Sequence, residues 1–207
     1  MGTFTVNDKL KKLEQLFQDS NFKFFPLKLV TPEEFYVAIG EAKKTNKYGT
    51  FVDQHSIEEY SQMRFLFLTL DNKAGIAITT DNNIVSIFNG GEQRGVLKTL
   101  LPTAIEFGGN KLDNYDVDKL SGLYELYGFD PVSNVEFDKT FAPEDWNYDR
   151  DGTPDIVFWL HNGDEVSDVL LNFGGYDVDW SIVEKFSTYE EARAYRDSKA
   201  KSSRREI

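Results

Sequence analysis

The stretch Leu123-Tyr124-Glu125-Leu126-Tyr127-Gly128-Phe129, "LYELYGF", sets two phenols three residues apart, so in a helix both rings lie on nearly the same face. A tyrosine hydroxyl is a hydrogen-bond donor with a pKa of about 10, and it keeps its proton until a stronger base takes it. Upstream, "GGEQRG" puts Gly90, Gly91 and Gly95 ahead of an apolar helical pattern. Glycines there allow close backbone approach, and the unpaired N–H groups of a helix start favour an anion. Other reactive groups are scarce. With no cysteine and two histidines, His55 and His161, the chain lacks thiolate nucleophiles, disulfides and the usual zinc frameworks. The histidines read as a helix-cap neighbour and a strand-end residue, and Trp146, Trp159 and Trp180 as core or rim aromatics. "DRDGTPD" at 149–155 imitates part of a calcium loop but lacks the third early ligand and the terminal glutamate, so it reads as a hairpin turn.

The elements that must position these groups come from a chain of 207 residues, enough for one sizeable core and one domain with extensions. No run of 18 apolar residues occurs, so no membrane span is expected. The start "MGTFTVNDKLKKLEQLF" lacks the pattern of a secretory signal, which predicts a cytoplasmic location. Net charge is −12; residues 193–207 hold six Lys/Arg and two Asp/Glu, leaving −16 on an acidic body. Such a body repels phosphate backbones, so direct nucleic-acid binding is not expected, whereas a basic substrate or partner suits it.

Residues 5–19 carry Leu10, Leu13, Leu16 and Phe17 on one helical stripe, with Asn7 or Asp8 as cap. An extended segment broken by Pro26 follows, then a helix over about 33–45 introduced by Thr31-Pro32-Glu33-Glu34, and a short helix over 56–62. The runs 64–70, 74–80 and 83–89, joined by "DNK" and "DNN", predict an antiparallel meander. Beyond it come a helix over 95–107 with Pro102 inside, a strand near 110–116, the helix ending in "YGF", and strands at "DPVSNVEF" and "PDIVFWLHN". Helices over about 164–173 and 188–202 close the chain, the last with Ser187 and Glu190 at capping-box spacing and Tyr189, Ala192 and Tyr195 as its stripe.

This order of elements resembles the GNAT acetyltransferase superfamily, and two local matches carry the resemblance. "GVLKTLLPTAIEFGGNKLDNY" follows the family's acetyl-CoA segment "GxGxxLLxxAIExxxxxGxxxLxL" nearly in register, and "LYELYGF" follows "LYEKxGF". The chain also resembles GNAT-like proteins of bacteriophages and mobile elements. The resemblance covers roughly residues 22–160 and implies an α/β (α+β) fold with a mixed, largely antiparallel central sheet flanked by helices. It gives a division into an N-terminal helical extension (1–21), a GNAT-like domain (22–160) and a C-terminal helical extension with a basic tail (161–207).

The family binds acetyl-CoA where two strands splay, which here implies Ile87, Phe88 and Asn89 on one strand. Gly90, Gly91, Gln93, Arg94, Gly95 and Val96 would follow on the loop and helix start that receive the pyrophosphate. The resemblance gives Tyr124 the role of general acid toward the departing coenzyme A thiolate. No single general base stands out: Asp71 and Asp81 sit at turns, Glu92 in the loop and Glu106 far along a helix. The loop departs from the family's [QR]-x-x-G-x-[GA] at Glu92 and Leu97. Two functions therefore compete: an N-acetyltransferase acting on a primary amine, and a catalytically degenerate scaffold that binds or inhibits a basic protein. An assembly role for the helices after 164 is a third.

Overall fold

The computed structural model of the chain describes residues 5–46, 49–91, 94–117, 120–143 and 146–202. Its elements run α1 (Val6–Asp19), β1 (Leu27–Leu29), α2 (Pro32–Thr45), α3 (Ile57–Ser61), β2 (Phe65–Thr69), β3 (Ala74–Ile78), β4 (Ile84–Asn89) and α4 (Leu97–Glu106). They continue with β5 (Lys111–Tyr115), α5 (Leu120–Glu125), β6 (Phe129–Val135), α6 (Tyr148–Asp151), β7 (Ile156–His161), α7 (Val166–Leu171), β8 (Glu184–Phe186) and α8 (Tyr189–Ser202). The fold is mixed α and β, as the sequence predicts, but its strands form two four-stranded sheets in place of the one central sheet expected, because β4 and β5 are not hydrogen-bonded neighbours. The chain divides into two compact units, Met1–Asn110 with Glu165–Leu171, and Lys111–Asp164 with Asn172–Ile207.

In the first unit the helices start where local chemistry closes a capping box. Thr31 with Glu34 opens α2 and Ser56 with Glu59 opens α3, each hydroxyl accepting the N–H three residues on while the acid accepts the cap's own N–H. Helix α1 is capped by Thr5 and Asp8 and not by Asn7, because the threonine and the acid three residues later complete both bonds. The strands pair antiparallel in the order β1-β2-β3-β4, so the predicted meander is present. Its turns use Asn72 and Asn82 at φ 60° and 68°, a left-handed backbone that asparagine tolerates. Phe35 and Ile39 of α2 bury against Leu66, Leu68, Ala77 and Phe88 of the sheet, with Tyr60 of α3 set edge-on to Phe35. Helix α4 runs through Pro102 and is stopped by Gly108 at φ 91°. Val166, Val169 and Leu170 of α7 are buried, and α7 packs on α4.

In the second unit the order is β5-β7-β6-β8, antiparallel except for the parallel pair β6 and β8. The three-residue β8 has no sequence signal of its own and exists because the edge of β6 receives it. "DRDG" is not a hairpin turn. Asp149, Arg150 and Asp151 form the end of α6, whose cap Asn147 accepts the N–H groups of Asp149 and Arg150, and Gly152 at φ 66° stops it. The last helix starts one residue later than predicted: Thr188, not Ser187, accepts the N–H of Glu191 through its hydroxyl.

Helix α8 lies against β6, β7 and β8 and brings a charge inside with it. Arg196 is fully buried beside Ala192 and reaches over the Phe158 ring. Its Nη1 donates to the Leu112 carbonyl at 3.1 Å and faces Asp113 at 3.4 Å, and its Nη2 lies 3.0 Å from Asp197. Tyr189 donates to the other Asp113 oxygen at 3.0 Å, Lys111 pairs with Asp197 at 3.2 Å, and the Ser133 hydroxyl donates to the Ala192 carbonyl at 2.9 Å. The helix is thus tied to β5 and β6 by polar groups that the Tyr189-Ala192-Tyr195 stripe does not reveal.

Removing Arg196 takes away the donor to the buried Leu112 carbonyl, while Asp113 keeps Tyr189 and Asp197 keeps Lys111. Arg196→Met is expected to lower unfolding stability in urea by about 1–3 kcal/mol, whereas Glu190→Gln on the exposed face of the same helix should leave it within about 0.5 kcal/mol.

Candidate functional site

In the first unit the expected cofactor residues lie on the end of β4 and the loop into α4. Strand β4 is not regular. Gly75 pairs with Phe88 and Ala77 with Val85, so Ser86 and Ile87 together oppose Ile76 alone, which is a β-bulge. Ser86 sits there at φ 51°, a left-handed conformation that an L-residue adopts in a strand only when its surroundings hold it. Its hydroxyl donates to the Asp53 carbonyl at 3.0 Å and lies 3.1 Å from the Tyr60 hydroxyl, which in turn accepts the His55 N–H at 3.2 Å. Because the serine proton is committed to Asp53, the phenol is the donor between the two oxygens. A serine inside an apolar strand carries no signal of a bulge, so nothing in the sequence singles out Ser86.

Phe88 turns into the core against Phe35, with ring centroids 5.6 Å apart. Asn89 is held at both ends, its carbonyl accepting from Asn46 at 2.6 Å and its side-chain oxygen from the Gly91 N–H at 3.2 Å. Gly90 donates its N–H to Lys73 at 2.7 Å, and a Cβ there would stand 2.6 Å from that of Ala42. Packing alone therefore demands this glycine. Gly95 differs, since φ is 84° and an added Cβ would meet nothing within 4 Å; its backbone conformation and open surroundings are what a ligand-facing turn needs. Arg94 is exposed and Val96 is buried. Helix α4 begins with no side-chain cap, and among the described residues the N–H groups of Gly95, Val96 and Leu97 bond no acceptor. Gln93 and Glu92 lie outside the described residues.

Tyr124 belongs to the second unit. It is 4% exposed, with its ring 5.8 Å from Trp159 and 6.4 Å from Phe129. Burial, and secondarily the Asp113 carboxylate, push its ionisation well above the usual phenol range. Among the described residues its hydroxyl has no hydrogen-bond partner. Tyr127 is also buried, edge-on to Phe173, and its ionisation is likewise raised by desolvation. Gly128 at φ 76° stops the helical run, and its carbonyl accepts the Asn162 N–H at 2.9 Å. Trp159 donates to Asn114 at 2.6 Å and meets Trp180 edge-on.

His161 ends β7 and is buried against Phe129. Its Nδ1 accepts the Gly163 N–H at 3.2 Å, while Nε2 has no partner among the described residues. Desolvation lowers its pKa from 6.5 to about 4 against the opposing pull of Asp164. His55 faces Tyr60 edge-on beside the cap of α3. No three His, Asp or Glu side chains among the described residues converge as metal ligands. The carboxylates considered as bases are engaged elsewhere, Asp71 and Asp81 with Thr69 and Thr79, Glu106 with Lys9. Among the described residues no helix is long and apolar enough to cross a membrane. No family model, curated protein or solved structure significantly matches the chain.

The buried histidine has a measurable consequence. Between pH 6.5 and about 4 the unfolded chain binds a proton that the folded chain refuses, so the stability His161 contributes is complete above pH 6.5 and is lost as pH falls to about 4. Asp130, whose ionisation is raised by burial and by Asp164, works with the opposite sign, because acid protonates it more readily in the folded chain. In urea melts of wild type and His161→Gln, the stability difference should change by on the order of 2–3 kcal/mol between pH 7 and pH 4, in the variant's favour at acid pH. A difference independent of pH would mean that the imidazole is solvated.

Proposed function

We propose that the chain is an acetyl-CoA-dependent N-acetyltransferase that acts in the cytosol on a primary amine by direct transfer, with Tyr124 as general acid. The observation that carries this reading is the bulged β4 leading into α4. A bulge takes backbone groups out of the ladder at the strand where the acyl thioester would lie. The start of α4 behind Gly95 has no side-chain cap and turns the positive end of a helix dipole toward a pyrophosphate. The element sequence from β1 through β7 and the two motif matches support the same reading.

The amine nitrogen attacks the thioester carbonyl carbon and forms a C–N bond. Tyr124 would give its proton to the departing thiolate as the C–S bond breaks, and the proton shed by the new amide nitrogen would return through water to the phenolate, restoring the phenol. Burial keeps the phenol protonated at neutral pH, and because it also makes the proton harder to release, the general-acid role requires the bound substrate to stabilise the phenolate that forms. The acidic body favours a cationic acceptor, and its charge opposes direct nucleic-acid binding.

A second reading is a catalytically degenerate scaffold that binds a basic protein. It is favoured by the placement of the Tyr124 ring between Trp159 and Phe129, where it serves as packing.

Acetyl-CoA at 100 times its dissociation constant is expected to add about 2.7 kcal/mol to stability, read as a rise in melting temperature. Tyr124→Phe should keep that rise and lose turnover roughly 10²- to 10⁴-fold. No shift at millimolar acetyl-CoA, together with salt-sensitive binding to a basic protein, would establish the second reading instead.

A further inference from the structure

The left-handed residue in β4 is held by groups from outside the strand. Three hydrogen bonds run in series from the His55 N–H to the Tyr60 hydroxyl, on to the Ser86 hydroxyl, and from there to the Asp53 carbonyl. The chain begins and ends on the same short segment before α3, so Tyr60 and Ser86 together clip that segment to the bulge. Tyr60 is 1% exposed, with its ring fixed by Phe35 at 4.9 Å and His55 at 5.6 Å, so the hydroxyl is presented by a rigid arm. Ser86 is 8% exposed, so its two bonds are made away from water. Burial raises the ionisation of Tyr60, which keeps it a donor across the ordinary pH range.

A serine that merely tolerated φ 51° would be better replaced by glycine, which takes that conformation without strain. What glycine lacks is the hydroxyl. The strain at Ser86 is thus maintained by a hydrogen-bond clip, and strained backbone that its surroundings over-determine is characteristic of ligand-binding positions. We infer that Tyr60 is a positioning residue: through Ser86 it fixes the bulge of β4 in the conformation that receives the acyl-thioester portion of acetyl-CoA. This rests on the acetyltransferase reading above. Neither side chain needs to touch the ligand.

The test compares acetyl-CoA affinity, by calorimetry on the full chain, for Tyr60→Phe, Ser86→Gly and Ile39→Val. The first two remove the clip and keep the ring or the allowed φ. The third loosens the same hydrophobic cluster without touching a hydroxyl. Tyr60→Phe and Ser86→Gly are each expected to weaken binding roughly fivefold to tenfold, the scale of one buried hydrogen bond. Ile39→Val should leave the dissociation constant unchanged even where its melting temperature falls as far as that of Tyr60→Phe. Unaltered affinity in Tyr60→Phe and Ser86→Gly, or losses in all three that simply track melting temperature, would overturn the positioning role while leaving the acetyltransferase reading intact. Failure of the unaltered protein to bind acetyl-CoA would remove both.

Discussion

A polar group withdrawn from water has to find a partner, and that single constraint settles where the irregular parts of this protein lie. An unmade bond inside a fold costs about 1–3 kcal/mol, more than most contacts contribute. In the first unit the Tyr60 and Ser86 hydroxyls satisfy each other and two backbone groups, and the strand bends to let them do so. The second unit meets the same demand for a full charge: Arg196 Nη1 donates to Leu112 and Nε to Asp197, and Asp113 and Asp197 balance the charge, although Nη2 makes no hydrogen bond among the described residues. Both arrangements join an element that hydrophobic patterning leaves loosely specified to one that it specifies well. Short α3 is referred to β4, and the polar helix α8 to β5.

The exceptions are as informative as the rule. His161 keeps Nε2 without a hydrogen bond among the described residues, and burial holds the ring neutral against the pull of Asp164 and the Tyr127 backbone. The Tyr124 ring packs against Phe129 and Trp159, and burial raises the ionisation of its phenol. Phe129, Tyr124, Trp159 and Trp180 follow one another in ring contact as an aromatic wall, and the two indole N–H groups go to Asn114 and Glu125. Such a wall gives rigidity first, and any chemistry at its edge acquires a fixed geometry from it.

Much of the fold was legible in the sequence. The meander, the Thr31 and Ser56 caps and the stops at Gly108 and Gly128 follow from periodicity and cap chemistry, which are local. Boundaries slipped by a residue where two adjacent hydroxyls competed, as at Ser187 and Thr188. The features that escaped are set by distant partners. Strand β8 needs the edge of β6, α6 needs Asn147 rather than the turn its glycine suggests, and the burial of Arg196 needs a carbonyl and two carboxylates far away in sequence. For the candidate site, spacing singled out Gly95 and the start of α4 but credited Gly90 with a freedom that Ala42 alone explains. Ser86 was invisible, because a bulge is a property of register between strands and leaves no mark on the residue that bears it.

The first unit is closed by residues 165–171, which come after most of the second has been made. A ribosome adds about 5–20 residues per second, so the strand meander and α4 wait on the order of several seconds before Val166, Val169 and Leu170 emerge to cover them. During that interval the nascent chain exposes an apolar helix face next to an already formed sheet. The second unit cannot finish early either, since Arg196 lies among its last residues. The order of synthesis therefore lets neither unit be completed before residues well beyond its first strands have been made.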